Sequence, residues 1–218
     1  MSFPFSNLRR APRLVIALAA LAALTLAIAG CGGNGNSQTA ASGTSNAKYA
    51  GVAALPLKPA PPLALEDSLG RAVNLEQFRG KAVFVTFIYD HCPDVCPLIV
   101  GNLRTAQAQL GPDAGSLQIV AVSVDPKGDT PRTVKAFLAE HRMTGRMEYL
   151  LGSRPQLEGV WHAWHILAKA PPAKGARDLV EHSALVYGIS ASGKLTTLYP
   201  QSFRPAQVVH DVPILASE

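Results

Sequence analysis

Residues 82–98 read AVFVTFIYDHCPDVCPL, and the fold follows from how this stretch is divided. Val83, Phe84, Val85, Thr86, Phe87 and Ile88 form an unbroken β-branched and aromatic run, the pattern of a strand covered on both faces. A polar turn stops the run, and Cys92 and Cys96 follow, each succeeded by a proline. Pro93 suits the first position of a helix, which predicts a helix over 93–110 with Leu98, Leu103, Ala106 and Leu110 inward and Gly111-Pro112 as its stop. On this reading Cys92 is the cap and Cys96 lies in the first turn.

The pattern outward from this stretch alternates strand and helix. Residues 117–124 (LQIVAVSV) form a second apolar strand that ends at Asp125-Pro126. Thr130 caps a helix with Pro131 at its first position and Val134, Phe137 and Leu138 on its apolar face. A short strand at 147–151 and a helix at 155–166 come next, then a third core strand at 183–189. A turn at 190–194 reverses the chain into 195–199. A last helix starts at Pro205, and Pro213 is expected to cut or kink it. Ahead of the central stretch, 63–73 forms a hairpin around Asp67-Ser68-Leu69-Gly70, and Asn74 caps a single turn that runs to Phe78 and closes at Gly80. This order predicts an α/β, thioredoxin-like fold: a central mixed sheet flanked by helices, with an N-terminal hairpin extension. The dithiol falls at the carboxyl end of the first core strand, where open α/β sheets bind ligands.

The chain has 218 residues and a formal charge of +5, with 48% apolar residues, which fits a globular core. Arg9, Arg10 and Arg13 are the charged residues of the first thirty, so the remainder carries only +2. No basic run interleaved with aromatics occurs, which argues against a nucleic-acid partner. The three cysteines divide into Cys31 alone and the Cys92/Cys96 pair, so a disulfide framework is excluded and any cysteine bond is the local one.

The N-terminus reads as a targeting segment. Arg9 to Arg13 precede an apolar stretch sixteen residues long at 14–29, short for a membrane span and suited to a secretory signal. The run ends Ile28-Ala29-Gly30-Cys31, which resembles a bacterial lipoprotein box, in which the cysteine receives a lipid and becomes the new N-terminus. Residues 1–30 are accordingly expected to be a lipoprotein signal peptide. Residues 31–60, with a Gly, Ser and Asn tract followed by prolines, are expected to be a flexible linker, and 61–218 the folded domain. At roughly 5–6 Å × √n, the eighteen residues before Tyr49 reach about 20–25 Å. The expected location is the extracytoplasmic face of the cell membrane, lipid-anchored through Cys31.

Two cysteines with three residues between them suit a soft metal ion or a redox disulfide. The helix dipole and free amides favour thiolates there, while Asp94 works against them. Two thiolates leave a metal site incomplete, and the histidines at 91, 141, 162, 165, 182 and 210 are the candidates for a third ligand. His182 is best placed, because it opens the predicted third core strand. His91 reads as a docking or supporting residue. His162 and His165 fall within a stripe of Leu157, Val160, Trp161 and Trp164 that reads as core, and His141 and His210 as surface residues. Two thiolates and one imidazole suit copper, above all Cu(I), whereas zinc takes a fourth ligand.

At these residues the sequence resembles the SCO/SenC family of thioredoxin-like copper chaperones of cytochrome c oxidase assembly. The matching pieces are Tyr89-Asp90-His91-Cys92-Pro93-Asp94-Val95-Cys96-Pro97, then Val122-Ser123-Val124-Asp125-Pro126 with Asp129-Thr130-Pro131, then Glu181-His182-Ser183-Ala184-Leu185-Val186-Tyr187. The resemblance covers about residues 60–210. It implies that Cys92, Cys96 and His182 bind copper, as Cu(I) or Cu(II), for the CuA-bearing subunit of the oxidase or another copper protein, and that Asp125 lies near the site in a supporting role. Glu181 stands where the family often has Asp, and Asp90 where it often has Thr. The alternative is a thiol–disulfide oxidoreductase in which Cys92 and Cys96 form a redox disulfide and copper is not obligatory. A thiol peroxidase would carry Pro and Thr where this chain has Val85 and Tyr89.

Overall fold

The fold is seen in a computed structural model that describes residues 48–169 and 181–218. The expected signal peptide, Cys31 and most of the expected linker lie outside the described residues. The unit that carries every element below spans Ser45–Glu218.

The predicted central strand is β4, Ala82–Ile88, and all seven of its residues are buried. Its neighbours explain why. It pairs in parallel with β5 (Leu117–Ser123) and antiparallel with β9 (Leu185–Ile189). The eight-stranded sheet runs β1-β10-β9-β4-β5-β6-β2-β3, with β1 Val52–Pro59, β2 Ala64–Asp67, β3 Ala72–Asn74, β6 Glu148–Leu151 and β10 Lys194–Pro200. Parallel strands in the middle and antiparallel ones on both sides make the mixed sheet the sequence predicts. The helices are α1 (Val95–Gln109), α2 (Pro131–Glu140), α3 (Arg154–Ala163) and α4 (Pro205–Ala216). The α2 face is the one foreseen, with Val134, Phe137 and Leu138 buried. On α1 Leu103, Ala106 and the capping Leu110 are buried as expected, but Leu98 is exposed, because the helix starts at Val95 and turns Cys96, Ile99 and Val100 inward instead. Thr130 caps α2 through a reciprocal bond with Thr133, and Asn74 does the same with Gln77 for the 3₁₀ turn Leu75–Phe78.

Several boundaries differ from the sequence reading. Strand β1 falls inside the expected 31–60 linker, so the folded unit reaches back before residue 61. It pairs antiparallel with β10. Its residues are almost all exposed and include Pro56 and Pro59, so no inward–outward alternation marks it as a strand. The backbone just before it is held by α4: the Ala50 and Gly51 N–H groups donate to Asp211 Oδ1 and Oδ2 at 2.7 and 2.8 Å.

Helix α1 begins at Val95 rather than Pro93. Asp94 adopts a non-helical backbone and its carboxylate accepts from the Val95 N–H at 2.5 Å, because a carboxylate caps a helix end better than a thiol does. Cys92 therefore precedes the helix, and Cys96 is its second residue. The predicted strand at 183–189 is interrupted. Glu181–His182 is a separate strand, β8, paired with β7 (Ala168–Lys169) in a two-stranded sheet, and β9 starts only at Leu185. Pro213 does not end α4. The helix continues to Ala216, with Val208, Val212 and Leu215 buried around the proline, so packing of the apolar face outweighs the lost backbone bond.

Candidate metal centre

The site is built where β4 runs out. Ile88 O, its last carbonyl, accepts from the Val124 N–H, which ties the ends of the two parallel strands together. The chain then turns through Tyr89, Asp90 and His91, and the Cys92 N–H donates to Tyr89 O at 3.4 Å. The turn is pinned from below: the Asp90 N–H donates to Asp129 Oδ1 at 2.9 Å, and Tyr149 Oη donates to Asp129 Oδ2 at 2.8 Å.

This geometry delivers the Cys92 sulfur to the mouth of α1. The Cys96 N–H, one of the amides left free at a helix start, donates to Cys92 Sγ at 3.4 Å. Both cysteines are buried, at 6% and 0% exposure, and both are free thiols. They are electrostatically unequal. The Cys96 thiol hydrogen-bonds to Cys92 and holds its pKa far below the usual thiol range. His182 and the Asp94 and Cys96 amides add to this, and together they outweigh burial. Cys96 is pushed the other way by the same partner and by burial. Of the two, Cys92 is thus the more acidic and Cys96 the less.

The third sequence-predicted ligand arrives from the small sheet. His182 Nε2 lies 3.8 Å from Cys96 Sγ. Its Nδ1 faces the Ser183 carbonyl oxygen at 3.3 Å. A carbonyl only accepts, so Nδ1 donates to it and is held there, which leaves Nε2 as the ring nitrogen turned toward the sulfurs, where a metal would bind. Bonds of about 2.3 Å to sulfur and 2.0 Å to nitrogen, opened to about 120°, span about 3.7 Å. The 3.8 Å gap therefore has the width of one soft ion. The Tyr89 ring stands edge-on to His182 with centroids 5.8 Å apart, which limits how that imidazole can rotate.

The remaining candidates lie elsewhere. His162 and His165 are exposed while Trp161 and Trp164 are buried, so the aromatic stripe is core as read. His141 packs its ring 4.3 Å from Phe137, and His210 hydrogen-bonds Asp211. His91 does turn to a carboxylate cluster: Nδ1 is 2.9 Å from Asp90 Oδ1 and Nε2 is 3.4 Å from Asp125 Oδ2. Burial opposes charge on His91, but the Asp90 hydrogen bond and the charges of Asp90, Asp125 and Asp129 outweigh it and raise its pKa. Sequence reasoning missed Asp129 and Tyr149 as the supports of the turn. The one signal was Asp90, noted as a departure in the residue whose backbone Asp129 holds.

A mixed sheet flanked by helices, with an unequal pair of cysteines between a parallel strand and a helix start, defines a thioredoxin-like dithiol protein with a histidine added to the pair. The SCO1/SenC family model matches residues 57–217, and the chain belongs to that family. The mitochondrial SCO2 homologue of Homo sapiens is 31% identical over 150 residues, which is 67% of this chain but 55% of the human protein. The chain thus spans about half the length of that relative. Among solved structures, Bradyrhizobium japonicum ScoI with copper bound shares 28% identity and a TM-score of 0.65 over 72% of this chain and 99% of that one. The apo Sco1 protein of Thermus thermophilus shares 29% identity and a TM-score of 0.67 over 77% and 96%.

Proposed function

We propose that this protein is a membrane-tethered, extracytoplasmic copper chaperone that holds one copper ion at Cys92, Cys96 and His182 and passes it to the CuA-bearing subunit of cytochrome c oxidase. The observation that carries this reading is the convergence of His182 Nε2 on the buried dithiol, at 3.8 Å from Cys96 Sγ. Two sulfurs and one imidazole give a soft, three-ligand set that matches Cu(I). Family membership and the copper-bound relative from Bradyrhizobium japonicum support it. Transfer then proceeds by ligand exchange, as acceptor thiolates replace the chaperone's ligands one at a time. Among the described residues no helix is long and apolar enough to cross a membrane. The tether in this reading is the lipid on Cys31, supported by the Ile28-Ala29-Gly30-Cys31 sequence.

Anaerobic Cu(I) titration of the reduced full chain tests the site. One copper per chain, with sulfur and nitrogen ligands by X-ray absorption and loss of uptake in Cys92→Ser, is the expected result. No binding to the reduced chain overturns the chaperone reading. Membrane fractionation tests the tether: Cys31→Ser should release the protein from the membrane, and unchanged retention would refute the lipid anchor.

The inequality of the two thiols favours a second reading, thiol–disulfide exchange. The Cys92 thiolate would attack a partner disulfide and release one partner thiolate. Cys96, once deprotonated, would attack the Cys92 sulfur and release the second. Two electrons pass to the partner, and a Cys92–Cys96 disulfide remains. The same dithiol serves both readings, and His182 separates them, since exchange needs no third ligand.

A further inference from the structure

The turn ahead of the dithiol and the segment packed beneath it bring together a group of donors that neither the copper site nor thiol exchange uses. Asp90, His91 and Asp129 each offer a ligand atom, and these atoms lie within 4.8 Å of one another. We propose that Asp90, His91 and Asp129 form a second cation site, oxygen-rich and separate from the thiols, that takes a borderline divalent ion such as Zn(II) or Cu(II).

The charges around this group are unbalanced. Three carboxylates, Asp90, Asp125 and Asp129, surround one imidazole, and among the described residues no lysine or arginine forms an ion pair with any of them. The Asp90 side chain is 7% exposed and Asp129 is 6% exposed, so two of these carboxylates are out of water, where an uncompensated negative charge is costly. An orphan atom points the same way. Asp90 Oδ1 meets His91, but Asp90 Oδ2 is buried and has no hydrogen-bond partner among the described residues. A buried carboxylate oxygen with nothing to accept from has the character of a ligand position.

The local shape also admits an ion. His91 is 40% exposed at its side chain, which gives a route from solvent to the two buried carboxylates. Gly128 keeps that face open: a Cβ there would sit 2.6 Å from His91 Cε1 and 2.4 Å from Asp125 Oδ2. Closure by about an ångström would bring the three donors onto bonds of about 2.0–2.2 Å. Two oxygens and a nitrogen select Cu(II), Zn(II) or Ni(II) over Cu(I), so the turn and the dithiol would favour different ions. The site does not depend on the thiols, and so stands apart from the copper reading of Cys92, Cys96 and His182.

The test is Zn(II) titration of the full chain carrying Cys31→Ser, Cys92→Ser and Cys96→Ser, with folding checked by circular dichroism. The expected result is one equivalent bound, weakened more than about tenfold by Asp90→Asn and by His91→Gln. Cu(II) at the same position should show nitrogen and oxygen ligands by electron paramagnetic resonance. If the triple variant does not fold, Zn(II) is added to the wild-type chain preloaded with Cu(I), and the same single equivalent, lost in Asp90→Asn, is expected. No uptake, or uptake equal in Asp90→Asn and its parent, overturns the proposal and leaves His91 as a protonated bridge between Asp90 and Asp125. Failure of the copper reading would show instead in the Cu(I) titration of the unsubstituted chain.

Discussion

Asp211 and Asp129 are both buried, and they are treated oppositely by their surroundings. Asp211, fully buried on α4, collects donors: the Ala50 and Gly51 N–H groups, the Tyr199 hydroxyl at 2.6 Å and His210 at 2.7 Å. Asp129, beneath the dithiol turn, receives the Asp90 N–H and the Tyr149 hydroxyl but also faces the Asp90 carboxylate. The first is a staple that fastens the backbone before β1 to the last helix. The second is left with its charge opposed. Burial of a carboxylate therefore does not mark function; the balance of donors and like charges around it does.

The comparison breaks most visibly at Asp211. Asp211→Ala leaves two backbone amides and a buried phenol without their acceptor, and should cost about 3–5 kcal/mol, read as a Tm lower by roughly 10 °C. A loss near zero would mean that these donors find water and that the staple is not structural.

Asp129 should show its difference in pH dependence. Burial, with the Asp90 charge adding to it, raises its pKa to about 7 against the hydrogen bonds it accepts. The folded state thus holds a proton that the unfolded chain releases near pH 4. That contribution is whole below about pH 4 and is lost as pH rises through about 7. In metal-free buffer, wild-type stability should fall relative to Asp129→Asn between pH 5 and pH 8, by on the order of 1–4 kcal/mol. Parallel curves would show that Asp129 is ionised throughout and resembles Asp211 after all.

A smaller effect sharpens the same contrast. Tyr149→Phe removes one donor from Asp129 and should cost about 1 kcal/mol in chemical denaturation. Because that hydrogen bond favours the ionised form, its loss should also move the pH midpoint upward. A midpoint that does not move would detach Tyr149 from Asp129.

What the sequence revealed follows from the range of the interactions. Strand β4 was legible because a central strand in a mixed sheet is apolar on both faces, and all seven residues are buried. The Thr130 and Asn74 caps were legible because a cap and its partner lie three residues apart. Strand β1 was not, since only its pairing with β10, more than 130 residues later, makes it a strand. The candidate ligand residues could be named, but the supports of the turn that carries them could not. Asp90 and Asp129 are 39 positions apart, and nothing in either segment announces the bond between them. The helix start shows the same limit at close quarters: Pro93 and Asp94 are both good N-terminal residues, and only the folded turn gives the cap to Asp94.

The central claim is that His182 completes a metal site rather than merely lying beside a redox dithiol. Cu(I) affinity, measured by competition with a chelator on the reduced chain and on His182→Ala, tests it directly, with the rate of exchange against a small disulfide recorded alongside. The account predicts at least about a 100-fold loss of affinity with the exchange rate changed by only a few-fold. Equal copper affinity in the two proteins would contradict it.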